Sequence, residues 1–207
     1  MRARMIHSGL WSRLRCAIFL AIISLSFTGC LFKTSTVQTR HFLLAPIPAS
    51  APASAPTEHS SLEIVIVKMP AYLLRDSVVV RTSPNEIKYL DEIQWGERLD
   101  HGFQRTIAAN LSQLLASDVR TQINPKIFIT VEQSDVDTNG AGTLIAQWRV
   151  TFGDRTPTKS GQARLTRSGA PPRGNPEVIA TTLSTLTAEF SKELAKAIDA
   201  SVQAPRK

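Results

Sequence analysis

From Lys126 to Arg167 apolar and polar residues alternate, and that period of two constrains the fold more than any other stretch of the chain. Ile127, Ile129 and Val131 fall on one side. Leu144, Ala146, Trp148, Val150 and Phe152 share a side of the next run, with Gln147, Arg149 and Thr151 opposite them. Successive side chains of a strand point to opposite faces, so each run predicts a strand with one dry face and one wet face. Asn139-Gly140 falls in the loop between the two runs, and Gly153–Ser160 connects to a third strand near Gln162–Arg167. This is the pattern of an antiparallel meander that faces water on one side only. Its dry face needs a cover.

Residues fit for that cover follow directly. Asn175-Pro176-Glu177 supplies a capping residue, a proline where a helix has no use for an N–H, and an acid near the positive helix end. Ile179, Leu183, Leu186, Phe190, Leu194 and Ile198 then recur every three or four residues, along one helical stripe. An earlier set, Trp95, Leu99, Phe103, Ile107, Leu111 and Leu114, has the same spacing and predicts a second amphipathic helix headed by Trp95. Gly96 and Gly102 lower its propensity without breaking the stripe.

The segment before these helices reads as further strands. Arg40–Ala45 has the look of a short strand, and the Pro/Ala/Ser-rich stretch from Pro46 to Glu58 cannot build a core and reads as a spacer. Residues 62–68 (LEIVIVK) have the length and β-branching of a buried strand, ended by Pro70. Ser77–Thr82 and Glu86–Leu90 flank Ser83-Pro84-Asn85, a turn sequence, and predict a hairpin. The expected fold is α+β, a mainly antiparallel sheet with two amphipathic helices packed on one face in two layers.

The N-terminus belongs to export rather than to this fold. Arg2, Arg4, Arg13 and Arg15 precede an apolar run from Cys16 to Phe27, too short for a membrane span, and Thr28-Gly29-Cys30 follows. That order resembles the signal and lipobox of bacterial lipoproteins, which implies cleavage before Cys30 and a diacylglyceryl group on its thiol. Of two cysteines, Cys16 lies inside the signal, so Cys30 has no partner for an internal disulfide. Two or three acyl chains anchor a protein stably where one does not. The chain divides into residues 1–29 (signal), 30–61 (lipidated N-terminus, first strand and spacer) and 62–202 (folded domain). The formal charge of +7 loses four with the signal arginines, which leaves +3 on the mature chain. With no Lys/Arg run of five and no interleaved aromatics, the sequence offers nothing to a nucleic acid.

Catalytic motifs are missing as well. The sequence contains no G-x-S-x-G, no H-E-x-x-H, no phosphate-binding glycine loop and no metal-spaced Cys/His cluster. His41, His59 and His101 read as surface or strand-end residues. Asp135 and Asp137 have the spacing of a cation site, yet before Asn139-Gly140 they suit turn chemistry better. No cofactor is expected beyond the covalent lipid on Cys30.

The segment from Pro70 to Leu114 carries one thing more. Pro70-x-Tyr72-Leu73-x-Arg75, the valine-rich hairpin ending at Arg81, and Trp95 with Leu99 resemble the signature of the PqiC family, the ABC-type transport auxiliary lipoproteins. The lipobox followed by a strand at Arg40–Leu44 is similar too. The resemblance implies a two-layer α/β domain and a non-enzymatic subunit of an MCE-type lipid transport system that supports the outer membrane. Its partners would be an MCE-domain periplasmic protein with its inner-membrane components, with self-association left open. Leu31 stands where an aspartate would retain a lipoprotein at the inner membrane, which points to the periplasmic face of the outer membrane. Tyr72, Leu73 and Arg75 together have the composition of an interface hot spot and are the expected partner-binding residues. In a plainer reading, Tyr72 and Leu73 cover the core, Arg75 pairs with Asp91 or Glu92, and Trp95 is a core residue. Two rivals remain: an assembly lipoprotein of another envelope complex, and a lipid-anchored enzyme, which lacks a visible nucleophile–base pair.

Overall fold

The structure is a computed structural model and describes residues 38–48, 64–115, 125–152 and 156–202. The signal, Cys30, Leu31, His59 and most of the Pro/Ala/Ser stretch lie outside the described residues. The strands are β1 (Arg40–Phe42), β2 (Ile64–Lys68), β3 (Ser77–Ser83), β4 (Glu86–Trp95), β5 (Lys126–Asp137), β6 (Gly142–Phe152) and β7 (Thr156–Arg167). A 3-10 turn, Ala71–Leu73, separates β2 from β3, and the helices are α1 (Leu99–Leu114) and α2 (Glu177–Val202). The fold is α+β, as expected.

The strands form one mixed sheet in the order β1-β4-β3-β5-β6-β7, with β2 also on β5. The β3–β4 hairpin and the β5–β6–β7 meander are antiparallel and supply the long ladders. Parallel pairing enters where β1 meets β4 and where β2 and β3 share one edge of β5. β2 lies along Ile127–Thr130, and β3 reaches the same edge only at Val136 and Asp137.

Both helices cover one face. All six stripe residues of α2, from Ile179 to Ile198, are at most 2 % exposed, as are Leu99, Phe103, Ile107 and Leu111 of α1. From the sheet they meet Ile127, Ile129, Val131, Val136, Leu144, Ala146 and Val150. Burial of this much apolar surface is the main force holding the layers together. At Gly142 the helix comes so close that an added Cβ would collide with Thr182 Cγ2 and press on Leu186 Cδ1.

Three expectations need correction. Trp95 does not head the first helix; it ends β4, with its N–H donated to the Asp76 carbonyl at 2.7 Å, and α1 begins at Leu99. Four-residue spacing from Trp95 to Leu99 imitates a helical turn, but the intervening Gly96 extends the strand pattern by donating its N–H to Phe42 O. β4 accordingly runs past Leu90 to Trp95, and β7 begins at Thr156 rather than near Gln162. Finally, the folded body does not wait for Leu62. β1 is already in the sheet, and the chain after it forms a strap across both helices. The Leu44 carbonyl accepts from Arg105 Nη2 (2.9 Å) and Thr106 Oγ1 (3.3 Å). Ala45 N donates to Ser184 Oγ at 3.0 Å, and Ile47 N to Asn110 Oδ1 at 2.8 Å. Leu44 is 2 % exposed and belongs to the core.

Candidate functional site

Tyr72, Arg81 and Asp135 meet on the sheet face away from the helices, and a bulge in β5 is what puts Asp135 there. The register with β6 slips between Val131 and Gln133. Before the slip Ile127, Ile129 and Val131 face the core; after it Ser134 and Val136 do, opposite Leu144 and Gly142. One extra residue reverses which positions point inward. Asp135 is thereby turned to the outer face beside Gln133, under the 3-10 turn.

Asp135 is 2 % exposed. Arg81 of β3 closes on it with Nε 3.0 Å from Oδ1 and Nη2 2.6 Å from Oδ2. The Tyr72 hydroxyl donates to Oδ2 at 3.1 Å, and Gln133 Nε2 donates to Oδ1 at 2.9 Å. Arg81 Nη1 also donates to Pro84 O at 3.0 Å, which ties the hairpin turn to the same group. Burial, reinforced by the adjacent carboxylate charge, pushes the Tyr72 phenol up to about 12. The hydrogen bond to Asp135 raises the Arg81 pKa, so the guanidinium holds its proton more firmly. A carboxylate bonded by four donor groups is a structural anchor, with no lone pair directed at solvent for proton transfer.

The expected partner-binding residues divide here. Leu73 is 2 % exposed and packs in the core, so its side chain is not open to a partner. Tyr72 is half-buried, its hydroxyl committed to Asp135, and its carbonyl accepts from Tyr89 Oη at 3.3 Å. Arg75 is exposed, and instead of meeting Asp91 or Glu92 its guanidinium lies 4.7 Å from the centroid of the Tyr89 ring. The outward surface of this site is therefore Arg75 flat on Tyr89, on a base made rigid by Tyr72, Arg81 and Asp135. In the sequence Arg81 is only the end of a hairpin, and nothing marks Tyr89 or Gln133; only the fold brings them together.

Asp137 has a separate role. Its Oδ1 accepts from Asn139 N at 2.8 Å and Ala141 N at 2.9 Å, the turn chemistry expected there. Gly140 in that turn has φ +91°, open to glycine and strained for other residues. Among the described residues no group of three His, Cys, Asp or Glu side chains is placed to hold a metal ion. His41 and His101 are exposed on separate elements. Among the described residues no helix is long and apolar enough to cross a membrane.

Comparison with solved structures supports the fold. A crystal structure titled only as an uncharacterized protein superposes with a TM-score of 0.56 at 19 % identity, covering 78 % of this chain and 99 % of its own. Protein XCC0632 from Xanthomonas campestris, assigned to family DUF330, superposes with a TM-score of 0.54 at 12 % identity, covering 80 % and 100 %. A search of curated proteins gives no match. The family model of the ABC-type transport auxiliary lipoprotein component matches residues 42–195, a span that takes in the strap, β2 to β7, the Asp135 anchor, α1 and most of α2. The chain thus belongs to the ABC-type transport auxiliary lipoprotein family.

Proposed function

We propose that the protein is a non-enzymatic subunit of an MCE-type intermembrane lipid transport system, anchored by lipid on Cys30 at the periplasmic face of the outer membrane. The observation that carries this reading is the family match over residues 42–195, which makes the chain an auxiliary component of a transporter. The Asp135 site agrees with such a role. It spends its charges on shape, presenting Arg75 and Tyr89 from a rigid base, and rigid presentation lowers the entropy cost of docking. Thr28-Gly29-Cys30 and Leu31 support lipidation and the outer-membrane address.

Affinity capture of the full-length lipoprotein from crosslinked membranes, read by mass spectrometry, tests the assignment. An MCE-domain protein should be enriched together with its inner-membrane partners. Enrichment of a different envelope complex would make the protein an assembly lipoprotein instead. In the same cells Cys30→Ala should abolish palmitate labelling, and Leu31→Asp should move the protein to inner-membrane fractions.

A further inference from the structure

Near the N-terminal end of α2 lies a groove of about 520 Å³, lined by Val80, Leu90 and Ile93 from the sheet and by Pro172 and Pro176 from the segment before α2. Three cations stand around it: Arg40 from β1, Lys88 from β4 and Arg173 from the loop before α2, against one acid, Glu92. All three cations are exposed, and none of them forms an ion pair among the described residues. Arg40 rests on the Phe42 ring, 5.0 Å from its centroid, which steadies its charge at the rim. Arg105 and Arg167, also exposed, do pair with acids, Glu97 and Glu189. An apolar floor ringed by uncompensated positive charge matches a molecule with an anionic head and an apolar tail. Its volume lies within the roughly 300–1,000 Å³ of small-molecule sites.

We propose that this groove binds a phospholipid, the phosphate held among Arg40, Lys88 and Arg173 and the start of an acyl chain laid on Val80, Leu90 and Ile93. The groove's chemistry calls for an anionic amphiphile; the choice of a membrane phospholipid rests on the transport reading above. Lys and Arg are the side chains suited to phosphate, and each charge-assisted hydrogen bond outweighs a neutral one.

The test is photocrosslinking of the full-length protein in cells grown on radioactive phosphate. Thr82 is exposed and lines the groove, and Gln162 is an exposed control on β7. Benzoylphenylalanine at Thr82 should yield a phosphorus-labelled protein whose added mass is that of a phospholipid, and the same residue at Gln162 should not. Inorganic phosphate has no C–H bond for this probe to enter, so it leaves no label. Lys88→Glu with Arg173→Glu should cut labelling at Thr82 about tenfold or more, the loss expected for two charge-assisted bonds. Lys88→Gln with Arg173→Gln, a milder change, should lower it in the same direction. Equal labelling at both positions, labelling indifferent to these charges, or an unlabelled protein adduct at Thr82 would each overturn the proposal. MCE-partner capture measured in the same cells separates the two readings. Capture without lipid label removes the groove and leaves the transport role. Lipid label without capture does the reverse.

Discussion

Arg81 and Asp135, 54 residues apart, are joined by a two-pronged ion pair across parallel strands, with a shortest contact of 2.6 Å. The Asp135 side chain is 2 % exposed and the Arg81 side chain 22 %, so the arginine retains some access to water and the aspartate has almost none. Removing one partner of a buried pair strands the other, which costs more than replacing both. Arg81→Met should therefore destabilise by about 3–5 kcal/mol, and Asp135→Ala by somewhat less, about 2–4 kcal/mol. The double variant Arg81→Met, Asp135→Leu should lose less than the sum of the singles. Urea unfolding of the three proteins decides it, and strictly additive losses would mean that the pair is not coupled.

The Tyr72 hydroxyl sets a limit at high pH. Its folded pKa of about 12 lies above the ordinary value of 10.0, so the unfolded chain releases this proton first as pH rises. The stabilisation is complete below pH 10 and is lost as pH climbs through 12. Wild type should exceed Tyr72→Phe in stability at neutral pH, with the gap closing above pH 10. A gap that stays constant with pH would rule out this linkage.

Legibility was uneven, for reasons that particular residues show. Both helices could be read from stripes such as Ile179–Ile198, because burial on one side repeats with the helical period whatever the neighbours do. Trp95 was placed on the wrong element because strand end and helix start lie four residues apart, a spacing that both structures accommodate. Asp135 was harder. Period-two reading puts it on the same face as Val131, and only the slip opposite Ile145 turns it outward. No residue type announces a bulge of this kind. The strap was also hidden, since Ile47 and Asn110 are recognisable as partners only once α1 is in place. Of the expected docking residues, Arg75 is exposed and Leu73 is not: Leu73 ends the 3-10 turn inside the core, and Arg75 lies beyond the turn.

The same slip leaves a small defect. Ser134 is 1 % exposed, and its Oγ has no hydrogen-bond partner among the described residues. A buried unpaired hydroxyl costs about 1–3 kcal/mol, partly offset by the packing of its atom. Ser134→Ala should be neutral or raise stability by up to about 1 kcal/mol, against the usual trend for core substitutions. A clear loss in calorimetry would show that the hydroxyl has a partner after all.

Asn110 holds three pieces together. It is fully buried, accepts from Ile47 N at 2.8 Å and donates through Nδ2 to Ser191 Oγ at 3.1 Å. Asn110→Ala would leave the Ile47 N–H without its acceptor and the Ser191 oxygen with only its own bond to Thr187 O, a loss of about 1–3 kcal/mol. Because the strap loses an attachment, proteolysis should reach residues 42–48 earlier than in wild type while α2 stays protected. Cleavage at unchanged rate would contradict the strap's dependence on Asn110.

The decisive measurement is capture of the proposed MCE-domain partner by the Arg75→Glu protein. Arg75 is exposed and touches the Tyr89 ring, so its replacement should leave thermal unfolding within about 0.5 kcal/mol of wild type. Tyr72→Ala is the less informative probe, since the loss of its bond to Asp135 would weaken the domain itself. If this surface docks the transporter, Arg75→Glu should lower partner recovery about thirtyfold or more, the equivalent of one hot-spot contact of about 2 kcal/mol or more. A folded Arg75→Glu protein that recovers the MCE partner at wild-type level would contradict the assignment of docking to this face.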